Sequence, residues 1–181
     1  MAYWLWGDAA AEHVVVCAHG LSRQGRDFDV LARALLACAG AQGRPLRVIC
    51  PDVVGRGHSD WLKDPVGYQC STYVGDMLAL LGALQGAGPI RSFDWVGTSM
   101  GGLIGLTLAG VPELPLPALL HRLVLNDVGP VIEWAALQRI GQYLGKSGTV
   151  PTVEAAAASM RAISAGFGPH TDDEWLALSR P

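Results

Sequence analysis

The stretch Ser92-Phe93-Asp94-Trp95-Val96-Gly97-Thr98-Ser99-Met100-Gly101-Gly102-Leu103-Ile104-Gly105-Leu106 constrains this chain more than any other. It reads as a short buried strand, a Gly-x-Ser-x-Gly turn and an apolar helix, in that order. The order puts Ser99 on a sharp strand-to-helix turn, with its hydroxyl held up as a candidate nucleophile. A turn that tight leaves no room for side chains beside the serine, and Gly97 and Gly101 supply the space. Gly102 lets the following helix pack closely. The N-terminus of that helix offers free N–H groups and partial positive charge to whatever lies above Ser99. A Gly-x-Ser-x-Gly string is weak by itself in a chain with 23 glycines, and it gains weight from the strand before it and the helix after it.

With 181 residues, half of them apolar and only 16% charged, the chain can bury a substantial core in one domain. A net charge of -3 without any Lys/Arg cluster gives no footprint for nucleic acid. No apolar run reaches membrane-spanning length, and Met1 to Asp8 lacks the features of a signal peptide. Cys17, Cys38, Cys50 and Cys70 form no Cys-x-x-Cys pair, and three of them stand in apolar surroundings. They read as small core residues in a reducing cytoplasm. No paired His or Cys at ligand spacing suggests a metal site. No Gly-x-Gly-x-x-Gly turn follows the first strand, so no dinucleotide or other cofactor is implied.

Taken in order, Tyr3 to Trp6 is a strand, and Val14-Val15-Val16-Cys17-Ala18 is a β-branched run expected to be buried on both faces. It leads directly into His19-Gly20-Leu21-Ser22. A helix is predicted over Phe28 to Cys38, with Val30, Leu31, Ala34 and Leu35 at helical spacing and Gly40 and Gly43 closing it. Leu46 to Cys50 is the next strand, and it ends at Pro51-Asp52. The loop Gly55-Arg56-Gly57-His58-Ser59-Asp60 is a poor phosphate cradle, because no Lys-Ser/Thr pair follows, and it reads as a turn. Ser71 is placed as N-cap of a helix carrying Val74, Met77, Leu78, Leu81 and Leu84, stopped by Gly86 and Gly88. After the turn at Ser99 and its helix, Pro112, Pro115 and Pro117 make a loop, and Arg122 to Asn126 forms another strand leading to Asp127.

Strands alternating with helices predict an α/β fold, a mostly parallel sheet with helices on both faces. Ligands of such sheets sit at the carboxyl ends of the strands, where His19-Gly20, Asp52, Ser99 and Asp127 all fall. From Val131 onward no strand pattern returns. Ile132 to Leu144 reads as a helix, Thr152 caps another through about Ala165, and Thr171-Asp172-Asp173-Glu174 is a capping box for a third bearing Trp175, Leu176 and Leu178. The expected organisation is therefore a core over residues 1–130 and a helical segment over 131–181.

A serine hydroxyl becomes an effective nucleophile only when a base takes its proton, and the oxyanion it creates needs donors. The N–H of Met100, next after Ser99, is one candidate donor, and that of Leu21, in the loop after the Val14–Ala18 strand, is the other. His19 has two readings, general base or shaper of that loop. Its place between a strand and a glycine favours the second.

His19-Gly20, the Pro51-Asp52 to Ser59 loop and Gly97-Thr98-Ser99-Met100-Gly101 together resemble the α/β-hydrolase fold superfamily, in its lipase-, esterase- and C–C-hydrolase-like branch with an inserted helical cap. The resemblance runs from Tyr3 to Pro130 in motif order, with the helical remainder matching a cap. It implies Ser99 as nucleophile, the Leu21 and Met100 amides as oxyanion hole, and a small ester, lactone or carbon–carbon bond as the target. Haloalkane dehalogenases and soluble epoxide hydrolases of this superfamily place an aspartate at the elbow, and Ser99 speaks against both chemistries. Trp134, Tyr143, Phe167 and Trp175 suggest an apolar or aromatic ester-like substrate.

The family keeps its triad in the order Ser, Asp or Glu, His. Only His121 and His170 follow Ser99. His121 precedes a strand, at the wrong end of the sheet, and His170 lies in cap-like sequence. Asp127 is a candidate acid, though a loop-organising role suits it slightly better. The family's first strand is absent or clipped, and its last two strands and triad histidine are expected beyond Pro181. An Arg122–Asn126 strand left at the edge would favour self-association. The alternative to a serine hydrolase is thus a catalytically incomplete fragment or short form that serves as a binding module.

Overall fold

Three consecutive valines in strand β2 (His13–Ala18) set the layering of the molecule. In the computed structural model, which describes residues 1–111, 119–145 and 149–180, β2 lies inside a five-stranded sheet. The other strands are β1 (Tyr3–Gly7), β3 (Arg47–Pro51), β4 (Ser92–Thr98) and β5 (Leu120–Asn126), and the order across the sheet is β1-β3-β2-β4-β5. β1 runs antiparallel to β3, and every other pairing is parallel. Successive side chains of a strand point to opposite faces. Val14, Val16 and Ala18 accordingly join one apolar cluster, and Val15 and Cys17 join another.

The first cluster is covered by helices α2 (Cys70–Ala87) and α3 (Met100–Gly110), through Tyr73, Val74, Met77, Leu81, Leu84, Met100, Ile104 and Leu108. The second is covered by α1 (Asp29–Ala41), through Ala32, Leu35, Leu36 and Ala39, with Phe28 of the preceding 3-10 turn and Trp4 and Trp6 of β1. Helices therefore lie on both faces of a mostly parallel sheet. Each fully buried valine or isoleucine of the central strands stabilises this arrangement by about 1.5–3 kcal/mol.

Helix α3 lies directly on the sheet because its inward face is glycine. A Cβ on Gly105 would come within 2.5 Å of the Trp95 indole, and one on Gly101 would overlap the Ala18 carbonyl. Trp95 is fully buried, and its Nε1–H donates to the Gly101 carbonyl at 2.9 Å, so the one polar atom of that ring is satisfied where the helix meets the strand.

Several details depart from the sequence reading. The buried face of α1 is set by Phe28, Ala32, Leu35, Leu36 and Ala39, while Val30 is 76% exposed and Leu31 is also exposed. Phe28 anchors the helix from the turn before it, and the helix rotates to follow that anchor. Ser71 does not cap α2, since the helix starts at Cys70 after an extended Gln69 that makes no side-chain cap bond. Gly86 lies inside that helix, and Gly88 ends it. Of the four cysteines only Cys17 and Cys50 are buried, neighbours on β2 and β3, where Cys17 raises the Cys50 thiol pKa and burial adds to the effect. Cys38 and Cys70 are exposed. The Pro112, Pro115 and Pro117 loop lies outside the described residues.

The chain divides into two compact units, Met1–Glu133 and Trp134–Pro181. The second holds α4 (Trp134–Tyr143), α5 (Val153–Ile163) and α6 (Asp172–Ser179). Thr152 caps α5 by accepting from the Ala155 N–H at 3.1 Å. Thr171 and Glu174 form a reciprocal capping box on α6. Trp175 is buried within this unit, beside the His170 ring, whereas Trp134 and Phe167 are exposed. Among the described residues, no helix is long and apolar enough to cross a membrane.

Candidate active site

The passage from β4 to α3 takes one residue. Ser99 has φ 49° and ψ -113°, a left-handed conformation rare for a residue with a Cβ. Such strain costs on the order of 1–3 kcal/mol and is held in place by its surroundings. The Ser99 N–H donates to the Asn126 carbonyl of β5 at 2.9 Å, and the Ser99 carbonyl accepts from Gly102 and Leu103. A Cβ on Gly97 would overlap the Gly101 peptide, and one on Gly101 would overlap the Ala18 carbonyl, which explains the glycine on each side of the serine. Ser99 is only half-buried, so its hydroxyl is reachable.

Met100 is the first residue of α3, and helix geometry leaves its N–H without an intrahelical partner. The loop after β2 comes close to the same point, because Ala18 pairs with Gly97 across the sheet. A Cβ built on Gly20 would lie 3.8 Å from the Ser99 Cβ, so the Gly20 main chain faces the serine. The fold therefore brings Gly20, Ser99, Met100, Gly97 and Gly101 together, with Leu21 following Gly20 in the loop.

His19 is buried, and both its ring nitrogens are engaged. Nε2 accepts from the Val53 N–H at 2.9 Å, so Nδ1 carries the proton and donates to the Gly20 carbonyl at 2.7 Å. That carbonyl shares a peptide unit with the Leu21 N–H, so this bond orients the candidate donor. Burial lowers the His19 pKa below its ordinary 6.5, with the Gly20 bond acting against it. The native ring resists protonation while the unfolded ring gains a proton below pH 6.5, so this contribution to stability is present above pH 6.5 and declines as the pH falls toward the native value. Nitrogen NMR is expected to show His19 giving up its proton at a lower pH than a free imidazole, with the neutral ring's proton on Nδ1, and urea midpoints are expected to decline below pH 6.5. A His19 ring that stays charged above pH 6.5 in the folded protein would contradict this.

Asp52 stands at the carboxyl end of β3, as expected, but is enclosed. Its carboxylate accepts from the Gly25 N–H at 2.7 Å and the His58 N–H at 2.9 Å, and its main-chain oxygen accepts from Ser59 Oγ at 2.5 Å. Gly57, at φ +52°, leaves room for that carboxylate. The glycine-rich loop thus wraps the buried Asp52 side chain. Asp127 is exposed, at φ 55°, directly after β5 and at the same end of the sheet as Ser99.

No histidine among the described residues is hydrogen-bonded to Ser99. His13 and His121 flank Asp94 at 3.2 and 3.4 Å. Asp94 lies five residues before Ser99, about 16 Å back along the strand at ~3.3 Å per residue. His58 packs edge-on to Trp4 of β1, with β3 and β2 between that strand and β4. His170 bonds to the Gly168 carbonyl in the second unit.

Sequence reading missed Arg56, which it placed in a plain turn. Its guanidinium reaches the Leu21 carbonyl, the Val54 carbonyl, the Tyr73 hydroxyl and the Met100 sulfur. Only the interval between two glycines hinted at a fixed side chain there.

A mostly parallel sheet, one of whose inner strands turns within one residue into a helix at a half-buried serine with the neighbouring strand's loop facing it, is the architecture of the α/β hydrolases. A family model for the alpha/beta hydrolase fold matches residues 13–144, and the chain belongs to that family. The chain is 48% identical over 179 residues to the 3-hydroxybutyrate-oligomer hydrolase of Cupriavidus necator, covering 99% of this chain and 56% of that protein. Among solved structures, it is similar to a hydrolase from Rickettsia typhi (TM-score 0.85, 32% identity, 98% of this chain and 58% of that one). It is also similar to an α/β hydrolase from Novosphingobium aromaticivorans (TM-score 0.79, 36% identity, 97% and 56%). The chain thus spans somewhat over half the length of these relatives.

Proposed function

We propose that this chain carries the nucleophile and oxyanion hole of a serine hydrolase that cleaves small esters, including short oligomers of a hydroxy acid. The observation that supports this best is the single-residue turn at Ser99, held in a left-handed conformation with the Gly20 main chain facing its Cβ. In this reading Ser99 Oγ attacks the ester carbonyl, and the oxyanion accepts from the Met100 and Leu21 N–H groups. The alcohol leaves with a proton, and water then releases the acid from the acyl-serine. Asp127 is the candidate acid of the charge relay. The Cupriavidus necator relative bears on substrate class through its name. The second unit, which carries the exposed Trp134 and Phe167, is read as a helical cap segment.

One observation favours a second reading. His13, His19, His58 and His121 are all engaged elsewhere, and β5 has β4 as its one partner among the described residues. A chain with no base at Ser99 would act as a binding module through that strand edge. Incubation with a linear trimer of 3-hydroxybutyrate decides between them. Hydrolysis with an acylated intermediate on Ser99 is expected, and failure to hydrolyse this trimer or any short-chain ester would favour the binding module.

A further inference from the structure

The two proposed oxyanion donors come from different elements, Leu21 from the loop after β2 and Met100 from the start of α3. Their separation must be fixed to a fraction of an ångström for both to meet one oxygen. Arg56, from a third element, touches both. Its Nε donates to the Leu21 carbonyl at 2.9 Å, and its Nη2 contacts the Met100 Sδ at 3.9 Å. Nη1 donates to the Val54 carbonyl at 2.8 Å and to the Tyr73 hydroxyl at 3.2 Å. The guanidinium carbon lies 5.2 Å from the Tyr73 ring centroid and 5.6 Å from that of Tyr68. A planar fork with five donors is the side chain that can hold several acceptors at fixed angles, and a flexible ammonium cannot replace it.

The loop that carries Arg56 is itself rigid. The Arg56 N–H donates to the Val53 carbonyl at 2.9 Å, and the buried Asp52 carboxylate fixes the chain on either side. The Val53 N–H in turn donates to His19. His19 therefore sets the Gly20–Leu21 peptide from one side, while Arg56 holds the next carbonyl from the other.

We infer that Arg56 is a positioning residue that sets the spacing of the Leu21 and Met100 donors, an inference that rests on the serine hydrolase reading. It touches no substrate and moves no proton. Its contribution is geometric and is felt where charge develops on the substrate oxygen.

The test is a kinetic comparison of the wild-type protein, Arg56→Lys and Arg56→Ala on a chromogenic short-chain ester, with acylation of Ser99 followed before steady state. Misplacement of catalytic groups by about 1 Å can cost on the order of 100-fold. Both variants are therefore expected to acylate about 100-fold more slowly, with KM changed little. Added guanidinium, below denaturing concentration, is expected to restore part of the rate to Arg56→Ala but not to Arg56→Lys, a rescue that a general loss of stability would not show. Should Arg56→Ala fail to fold, the kcat-against-KM split of Arg56→Lys carries the test. Acylation of both variants at the wild-type rate, or a raised KM with unchanged kcat, would overturn the inference and leave the hydrolase reading standing. A wild-type protein that never acylates Ser99 would overturn both.

Discussion

Replacing Ser99 with alanine is expected to abolish acylation by a short-chain ester, because the attacking oxygen is lost; where a base serves that oxygen, hydrolases of this kind lose about a millionfold in kcat. The fold should survive. The Ser99 main chain, with its N–H on the Asn126 carbonyl and its own carbonyl capping α3, is retained by alanine. Both residues have a Cβ, so the left-handed strain at φ 49° is similar in the variant. The stability change for a half-exposed hydroxyl is expected to stay within about 0.5 kcal/mol. Any residual turnover would come from the oxyanion donors alone. The assay is steady-state hydrolysis of a short-chain ester beside urea unfolding of the same preparations. A Ser99→Ala protein that folds normally and keeps its turnover would place the chemistry elsewhere.

The largest expected effect on stability comes from Gly101→Ala. The added Cβ would overlap the Ala18 carbonyl of β2, a main-chain atom in the middle of the sheet that cannot give way. Overpacking of this kind typically costs 1–3 kcal/mol, and a backbone clash puts this case at about 3 kcal/mol or more. Gly82→Ala is the control. Gly82 is exposed within α2, and its new Cβ would meet nothing within 4 Å. Alanine there is expected to stabilise the helix by roughly 0.5–1 kcal/mol. Urea unfolding of the two variants reads both effects, with opposite signs. Equal stability of Gly101→Ala and the wild type would mean that α3 does not approach β2 as closely as described.

The residues that shape the elbow were legible in sequence because each answers a local constraint. Gly97, Ser99 and Gly101 are close in the chain, and the steric reason for each glycine lies within the motif or on the strand beside it. The valines of β2 were legible because a run of β-branched residues suits a strand covered on both faces. The face of α1 was not, because it is fixed by Phe28 in the preceding turn and not by the spacing of Val30 and Leu31. Asp52 read as a residue at a strand end, but its two backbone donors, Gly25 and His58, come from loops 27 and 6 residues away. Arg56 was the least legible. Its partners Leu21 and Met100 are 35 and 44 residues distant, and one of them offers only a carbonyl, which leaves no mark on sequence.

Ser99 is proposed as a nucleophile served by the donors around it. A serine-directed phosphonate tests that most directly, followed by proteolysis and mass spectrometry to find the labelled peptide. One phosphonyl group per chain is expected, on Ser99, formed far faster than on a free serine and absent from Ser99→Ala. An unlabelled chain, or label scattered over other serines at the rate of the free amino acid, would contradict it.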